Sequence, residues 1–249
     1  MALQITSLNS GSNGNCYYIG NDTDAVLVDA GITCKETEKR MLSLGLTMQK
    51  VRAIIVSHEH TDHIRGLAVL ASRYNLPVYI SQKTLRNSRL VLDPANIFWL
   101  DQSGEMRIKG LTVKAFVKKH DAADPHSFTI ECEGICVGIF TDIGAACKNL
   151  INHFSRCHAA FLEANYDDEM LKNGAYPYYL KKRISGGLGH LSNNQALEVF
   201  KKHRSKFMSH LFLSHLSKDN NCPDLVKQLF DRNGAGIKIV VASRYHATP

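Results

Sequence analysis

Six consecutive positions, His58-Glu59-His60-Thr61-Asp62-His63, carry three imidazoles and a carboxylate able to face the same way. The apolar run Val51 to Val56 ahead of them reads as a short strand. Behind them, Ile64 to Tyr74 places Ile64, Leu67, Ala68 and Ala71 at helical intervals. A loop between strand and helix puts alternate residues on one side, so His58, His60, Asp62 and His63 are expected to converge on a metal. Neutral imidazole and carboxylate suit zinc, manganese or iron, and the lack of a neighbouring cysteine argues against a structural zinc finger. A catalytic ion usually takes three protein ligands and keeps a water. Four ligand-type residues exceed that need, so two divalent ions are expected. With 12 histidines in 249 residues, three within six positions is a poor chance event for an exposed polar loop.

Around this cluster the chain alternates. Leu3 to Leu8 reads as a strand, and Asn9-Ser10-Gly11-Ser12-Asn13-Gly14-Asn15 is turn chemistry throughout. Cys16 to Ile19 and Ala25 to Val28 pair as a hairpin across Asn21-Asp22. Lys35 to Leu44 has helical spacing and stops at Gly45, and Pro77 to Ile80 is another strand. Further strands are expected at Met106 to Ile108, Leu111 to Val117, Ser127 to Glu131, Ile135 to Phe140, Ala159 to Leu162, Leu211 to Leu213 and Ile237 to Val241. Helices are expected at Asn193 to Lys202 and Pro223 to Phe230. Strand-rich then helix-alternating, twice over, predicts an α/β fold: an αββα sandwich of two mixed β-sheets flanked by helices, as one domain over 1–249. The hydrophobic fraction of 44% is enough for a core of that size.

The N-terminus has no basic stretch followed by an apolar run, and no segment approaches the roughly 18 apolar residues that span a bilayer. Neither a signal peptide nor a membrane partner is expected. The seven cysteines are scattered without a CxxC pair, which favours reduced thiols in the cytoplasm over a disulfide framework. A net charge of +7 and a pI near 9.0 favour anionic partners without choosing among them. Oligomeric state is left open.

HxHxDH after a strand resembles the signature of the metallo-β-lactamase fold superfamily, and other pieces of that pattern follow in order. Val28-Asp29-Ala30-Gly31 matches its early strand-ending aspartate, His120 its isolated third-motif histidine, Asp142 in Thr141-Asp142-Ile143-Gly144 its bridging aspartate, and His215 in Leu213-Ser214-His215-Leu216-Ser217 its late histidine. The resemblance implies that His58, His60 and His120 hold one ion and that Asp62, His63 and His215 hold the second. Asp142 and a hydroxide would bridge them, with the ions roughly 3.5–4 Å apart and the hydroxide as nucleophile. Asp29 would support the ligand loop without binding a metal. His126, His153, His158, His203 and His210 have no matching role and are read as structural or surface histidines.

The superfamily hosts many hydrolases, so fold alone does not select a reaction. Leu162-Glu163-Ala164-Asn165 and Gly189-His190-Leu191-Ser192 resemble the acidic and histidine loops of ribonuclease Z, which implies that Glu163 orients His190 as general acid. Read from the residues alone, His190 also lies in a helix-capping region, since Ser192-Asn193-Asn194 precedes a helix. Lys118-Lys119 beside His120 and Lys181-Lys182-Arg183 ahead of His190 are suited to a phosphate backbone, or are simply solvated faces. Ser10, Ser12 and Asn13 lie in a loop of small donors that can approach a phosphate, or that merely connects two strands.

Ser10-Gly11-Ser12-x-Gly14-Asn15, His120-Asp121-Ala122-Ala123-Asp124-Pro125 and Gly189-His190-Leu191-Ser192-Asn193 resemble the YycJ (WalJ)-like branch. That branch implies a nuclease: a DNA 5′→3′ exonuclease using two divalent ions, zinc or manganese, with DNA as substrate and Asp62, Glu163 and His190 needed for turnover. The alternatives are a phosphodiesterase acting on a small cyclic phosphate and a metal-binding regulatory module without turnover.

Overall fold

A computed structural model describes residues 3–100 and 104–249. The first sheet has the order β1 to β6: β1 Gln4–Asn9, β2 Cys16–Gly20, β3 Ala25–Val28, β4 Val51–Ile55, β5 Val78–Ile80 and β6 Ile97–Trp99. The first three strands are antiparallel, and β3 through β6 run parallel. The β2–β3 hairpin turns where Asn21 Oδ1 accepts from the amides of Thr23 (2.9 Å) and Asp24 (2.8 Å), a side-chain mimic of a backbone turn. All four residues of β3 are buried, as befits an interior strand paired antiparallel to β2 on one side and parallel to β4 on the other.

The second sheet has the order β13 to β7: β7 Glu105–Ile108, β8 Leu111–Val117, β9 His126–Cys132, β10 Ile135–Phe140, β11 Ala159–Glu163, β12 His210–Ser214 and β13 Lys238–Val241. β10 through β13 are parallel and β7–β8 antiparallel, so both sheets are mixed as expected.

Helix α1, Cys34–Ser43, starts where Thr33 caps the Glu36 amide. The single helix expected over Ile64 to Tyr74 is instead two: α2 Thr61–Ile64 and α3 Leu67–Tyr74. The break falls at Gly66, whose amide donates to Ala30 O at 2.8 Å. A Cβ there would stand 1.9 Å from Ile32 O, so close backbone approach sets the interruption. Asp62 and His63 therefore sit on a helical turn and not on an open loop. Helices α4 Gln82–Ser88, α5 Lys148–Phe154, α6 Asp168–Asn173 and α7 Tyr178–Ser185, with strand β6, were not anticipated. These pieces are short and mostly exposed, and give little apolar periodicity to read. Helices α8 Asn193–His203 and α9 Pro223–Asp231 lie where expected.

Packing divides the chain into two compact units. One is Met1–Phe116 with Ala122–Ile135 and Ser243–Pro249; the other is Val117–Asp121 with Cys136–Ala242. They are interleaved in sequence, so neither is one continuous stretch. The first unit buries Leu8, Tyr18, Leu27, Met41, Ile54, Leu70 and Val78 in one cluster. The second buries ring pairs such as Phe161–Phe212 (centroids 4.6 Å apart) and Phe140–Phe154 (5.6 Å). Among the described residues no helix is long and apolar enough to cross a membrane.

Candidate metal centre

In the first unit the end of β4 and the turn of α2 gather His58, His60, Asp62 and His63. Ser57 holds this group from below. Its amide and hydroxyl both donate to the Asp29 carboxylate at 2.8 Å, and its Oγ lies 2.9 Å from His58 Nδ1. Because the single hydroxyl proton goes to Asp29, His58 Nδ1 is the donor in the second contact. Asp29 Oδ2 also accepts from His63 Nδ1 at 2.6 Å. Both histidines thus spend their outer N–H on a fixed acceptor and turn a lone pair at Nε2 inward, the tautomer that binds a cation. His58 Nε2 meets His60 Nδ1 at 3.1 Å, close to the spacing of about 3.3 Å for two nitrogens on one tetrahedral zinc. His63 Nε2 and Asp62 Oδ2 are 3.6 Å apart. The Asn15 amide lies 3.1 Å from each of those two atoms.

In the second unit the strand ends of β10, β11 and β12 do the same. Buried Asp142 has Oδ1 3.5 Å from His215 Nδ1, 3.7 Å from His190 Nδ1 and 3.8 Å from His120 Nε2. Asp142, Glu163, His190 and His215 offer ligand-type atoms within 4.8 Å of one another. Glu163, however, is occupied as an acceptor. Its Oε1 takes His190 Nδ1 (2.8 Å) and His215 Nδ1 (2.9 Å), while its Oε2 takes the amides of Ile143 (2.7 Å) and Leu191 (3.1 Å). Burial alone would raise this carboxyl, but His190 and then His215 hold it down at about 2. His120 Nδ1 donates to Gly189 O at 3.1 Å, leaving Nε2 as its lone-pair nitrogen. Burial, with Lys118 adding to it, pushes His120 down to about 4 against the pull of Asp142, so the ring is neutral near pH 7. Each unit therefore presents imidazoles and a carboxylate, several of them held from their outer sides by fixed partners, and this donor chemistry fits divalent metal.

Three of these residues share a backbone signature invisible in the sequence. Asp29 (φ 62°), Asp142 (φ 54°) and His215 (φ 56°) are all left-handed at or just beyond a strand end. Non-glycine residues hold that conformation at a cost, which tertiary contacts must offset. For His215, Asn165 supplies one such contact, donating from Nδ2 to its carbonyl at 2.7 Å.

Two expected phosphate contacts change role. Lys118 is buried, and its Nζ donates to Thr141 O at 2.7 Å, so it braces the backbone leading to Asp142 and does not face a phosphate. Ser10 is also buried, its hydroxyl 2.8 Å from Tyr17 OH. Lys119, Ser12 and Asn13 are exposed. The helix-capping reading of His190 is resolved two residues along: Ser192 and Gln195 form the cap of α8, leaving the His190 ring to Glu163. Among the described residues, His126, His153, His158, His203 and His210 join no ligand cluster; His158, for example, accepts from the Cys136 amide at 3.1 Å. Ser57, Asn15 and Asn165 were not singled out as supports. Asn15 and Asn165 lay inside quoted motifs and so carried a signal; Ser57 carried none.

The family model described as the metallo-beta-lactamase superfamily matches residues 10–136. The chain is 34% identical to the exodeoxyribonuclease YycJ of Bacillus anthracis, covering 95% of this chain and 92% of that protein. It is 30% identical to the exodeoxyribonuclease WalJ of Streptococcus pneumoniae, covering 100% and 97%. Among solved structures it resembles the metallo-beta-lactamase fold protein YhfI from Bacillus subtilis, with a TM-score of 0.77, 14% identity and full coverage of both chains. It also resembles the short form of human tRNase Z, with a TM-score of 0.66, 17% identity and 98% coverage of each.

Proposed function

The chain belongs to the metallo-β-lactamase superfamily, and from that premise we propose that it is a DNA 5′→3′ exonuclease, working in the cytoplasm as one domain over 1–249. Two divalent ions, zinc or manganese, would be held by His58, His60, Asp62, His63, His120, Asp142 and His215. The observation that carries the reading is the acceptor pair at Glu163. One carboxylate there holds two imidazoles, one belonging to a ligand and the other, His190, in a position to serve the leaving group. The relatives named exodeoxyribonucleases, matched over nearly their whole length, support DNA as the substrate.

When bound, the ions would lower the pKa of a water and offset the charge of the phosphate. The chain's own residues do the rest. Asp29 and Ser57 fix the tautomers of His63 and His58. Glu163 accepts from His190 Nδ1 and fixes the ring, so that the doubly protonated imidazole would deliver its Nε2 proton to the departing sugar oxygen and remain as the neutral Nδ1–H form. Lys119 and Arg183 would add charge toward the strand, although Arg183 Nε is already paired with Asp121 at 2.6 Å.

The test is cleavage of end-labelled single- and double-stranded DNA, with RNA and bis(p-nitrophenyl) phosphate in parallel. Progressive release of nucleotides from 5′ ends is expected, with RNA cut poorly. Hydrolysis of the small ester without any cutting of DNA would replace this reading with that of a small-molecule phosphodiesterase. Asp62→Ala should abolish turnover while leaving the protein folded. Near-normal activity of that variant at saturating metal would remove Asp62 from the ligand set.

A further inference from the structure

Residues 243–249 return to the first unit beside its N-terminal loop. Ser7 and Thr248 exchange backbone hydrogen bonds (3.1 and 2.8 Å), and the Ser10 amide donates to Ser243 O at 3.1 Å. This fixes Arg244 over the loop 10–15. Asn13 Nδ2 donates to the Arg244 carbonyl at 2.9 Å. The Arg244 guanidinium lies where a side chain at position 11 would be: a Cβ on Gly11 (φ +139°) would stand 2.8 Å from Nη2 and 3.3 Å from Nε. The Nε atom is buried and has no hydrogen-bond partner. Arg65, exposed, reaches the same loop, with Nη1 donating to Asn13 O at 3.2 Å. Among the described residues neither guanidinium is paired with a carboxylate, unlike Arg40, Arg52, Arg73 and Arg183.

Two unpaired guanidiniums on one loop of small residues form a site for an anion with several acceptor oxygens. The loop also leads to the metal ligands. Asn15, at its other end, donates its amide to Asp62 O at 2.7 Å and places its side-chain nitrogen 3.1 Å from Asp62 Oδ2 and His63 Nε2. From Gly11 to Asn15 an extended chain would span at most about 14 Å. A strand with one phosphate at the ligand cluster would therefore lay another of its phosphates against Arg244. Tyr245, exposed beside it and anchored through its carbonyl to Arg40 Nη2 (3.1 Å), offers a face on which a base can stack.

We propose that Arg244, with Arg65 and the loop 10–15, is a phosphate-binding subsite that grips the nucleic-acid strand away from the reacting bond. This rests on the nuclease reading and specifies which residues hold the strand.

The experiment measures binding of labelled single-stranded oligonucleotides to the full chain in a chelator, which prevents cutting, across a range of salt. Arg244→Gln should weaken binding about tenfold and flatten the slope of log K against log salt by about 0.7, the loss of one phosphate contact. With metal restored, the ratio of kcat/KM on DNA to that on bis(p-nitrophenyl) phosphate should fall by a similar factor. Arg244→Lys, which keeps the charge, should retain the wild-type salt slope. Arg65→Gln gives an independent reading should Arg244→Gln fail to fold. Oligonucleotides with a 5′-phosphate or a 5′-hydroxyl separate two sources of the same chemistry. A loss confined to the former identifies a terminal phosphate, and a loss on both identifies an internal one. Unchanged affinity and slope in both glutamine variants would overturn the proposal. So would an equal fall of kcat/KM on DNA and the small ester, which would make Arg244 a support for the ligand loop. A wild-type chain that hydrolyses the small ester but neither binds nor cuts DNA would overturn the nuclease reading as well, and is seen before any variant is made.

Discussion

At the scale of the residue, the proposed chemistry turns on the His190 ring carrying a proton on both nitrogens. Glu163 accepts the Nδ1 proton, so the Nε2 proton is the one available to the leaving oxygen. His190→Ala should lower kcat on DNA by roughly 10²–10⁴-fold, the usual range for a general acid. The loss should be much smaller on bis(p-nitrophenyl) phosphate, because p-nitrophenolate leaves without protonation; equal losses on both substrates would instead make His190 a binding or folding residue. Asp29 would act one step further from a bound ion, through His63. Asp29→Asn should weaken metal affinity by roughly 10–100-fold, read by competition against a chelator, because His63 loses the acceptor that fixes its tautomer. Acid should report on the same groups in metal-free protein. Burial moves His120 from 6.5 down to about 4, so the folded state binds fewer protons than the unfolded chain across that interval. Its contribution to stability is intact above pH 6.5 and is lost as pH falls toward 4. Glu163, moved from 4.5 to about 2, acts in the same sense lower down and is lost from pH 4.5 toward 2. Thermal melts of the chelated protein should therefore show stability falling in two stages on acidification. His120→Asn should remove the upper stage, and a profile identical to wild type would refute that assignment.

Among the elements, glycine decides where the ligand helix can lie. A Cβ on Gly31 would stand 1.6 Å from Asp62 O, so the loop leaving β3 and the turn of α2 touch backbone to backbone. Gly31→Ala should destabilise by roughly 2–4 kcal/mol in denaturant melts, as displacing packed backbone does, and should cost metal affinity too because Asp62 must move. Helix α8 offers a contrast. Its Ser192–Gln195 capping box lies two residues from His190. Ser192→Ala should cost about 1 kcal/mol and leave the leaving-group dependence of kcat unchanged. Turn and cap signals of this kind were legible in the sequence, as were the β2–β3 hairpin and the end of α1 near Gly45. Helices α4 to α7 were not, because short exposed helices are held by contacts made elsewhere and carry little periodicity of their own.

For the molecule as a whole, bound metal should act as a fold-stabilising ligand. Histidines and carboxylates drawn from strand ends throughout the chain are scattered when it unfolds, so ions bind the native state far better than the unfolded one. Chelation should lower Tm, and zinc or manganese should restore it in a concentration-dependent way. An unchanged Tm across chelation and reloading would argue that no ion is held. The net charge of +7 bears on substrate encounter more than on fold, and steep loss of DNA turnover with salt, against a mild effect on the small ester, is the matching expectation.

The candidate ligand run from His58 to His63 was readable from sequence alone because its members are neighbours, and local spacing suffices to bring them together. Strand and helix alternation was readable for the same reason, since periodicity is a local property. The family resemblance extended this to His120, Asp142 and His215, yet residue types alone said nothing of how each is held. That was decided by the tertiary structure. Glu163 meets His190 across 27 positions and His215 across 52, and Asp29 meets His63 across 34. The buried environments that keep His120 neutral and Glu163 ionised exist only once the strands are assembled. The same is true of Lys118 and Ser10, whose types suited a phosphate but whose polar ends the fold turned inward. Sequence lists the donors and acceptors; which pairs lie within hydrogen-bond reach, and in what dielectric, depends on contacts between segments far apart in the chain.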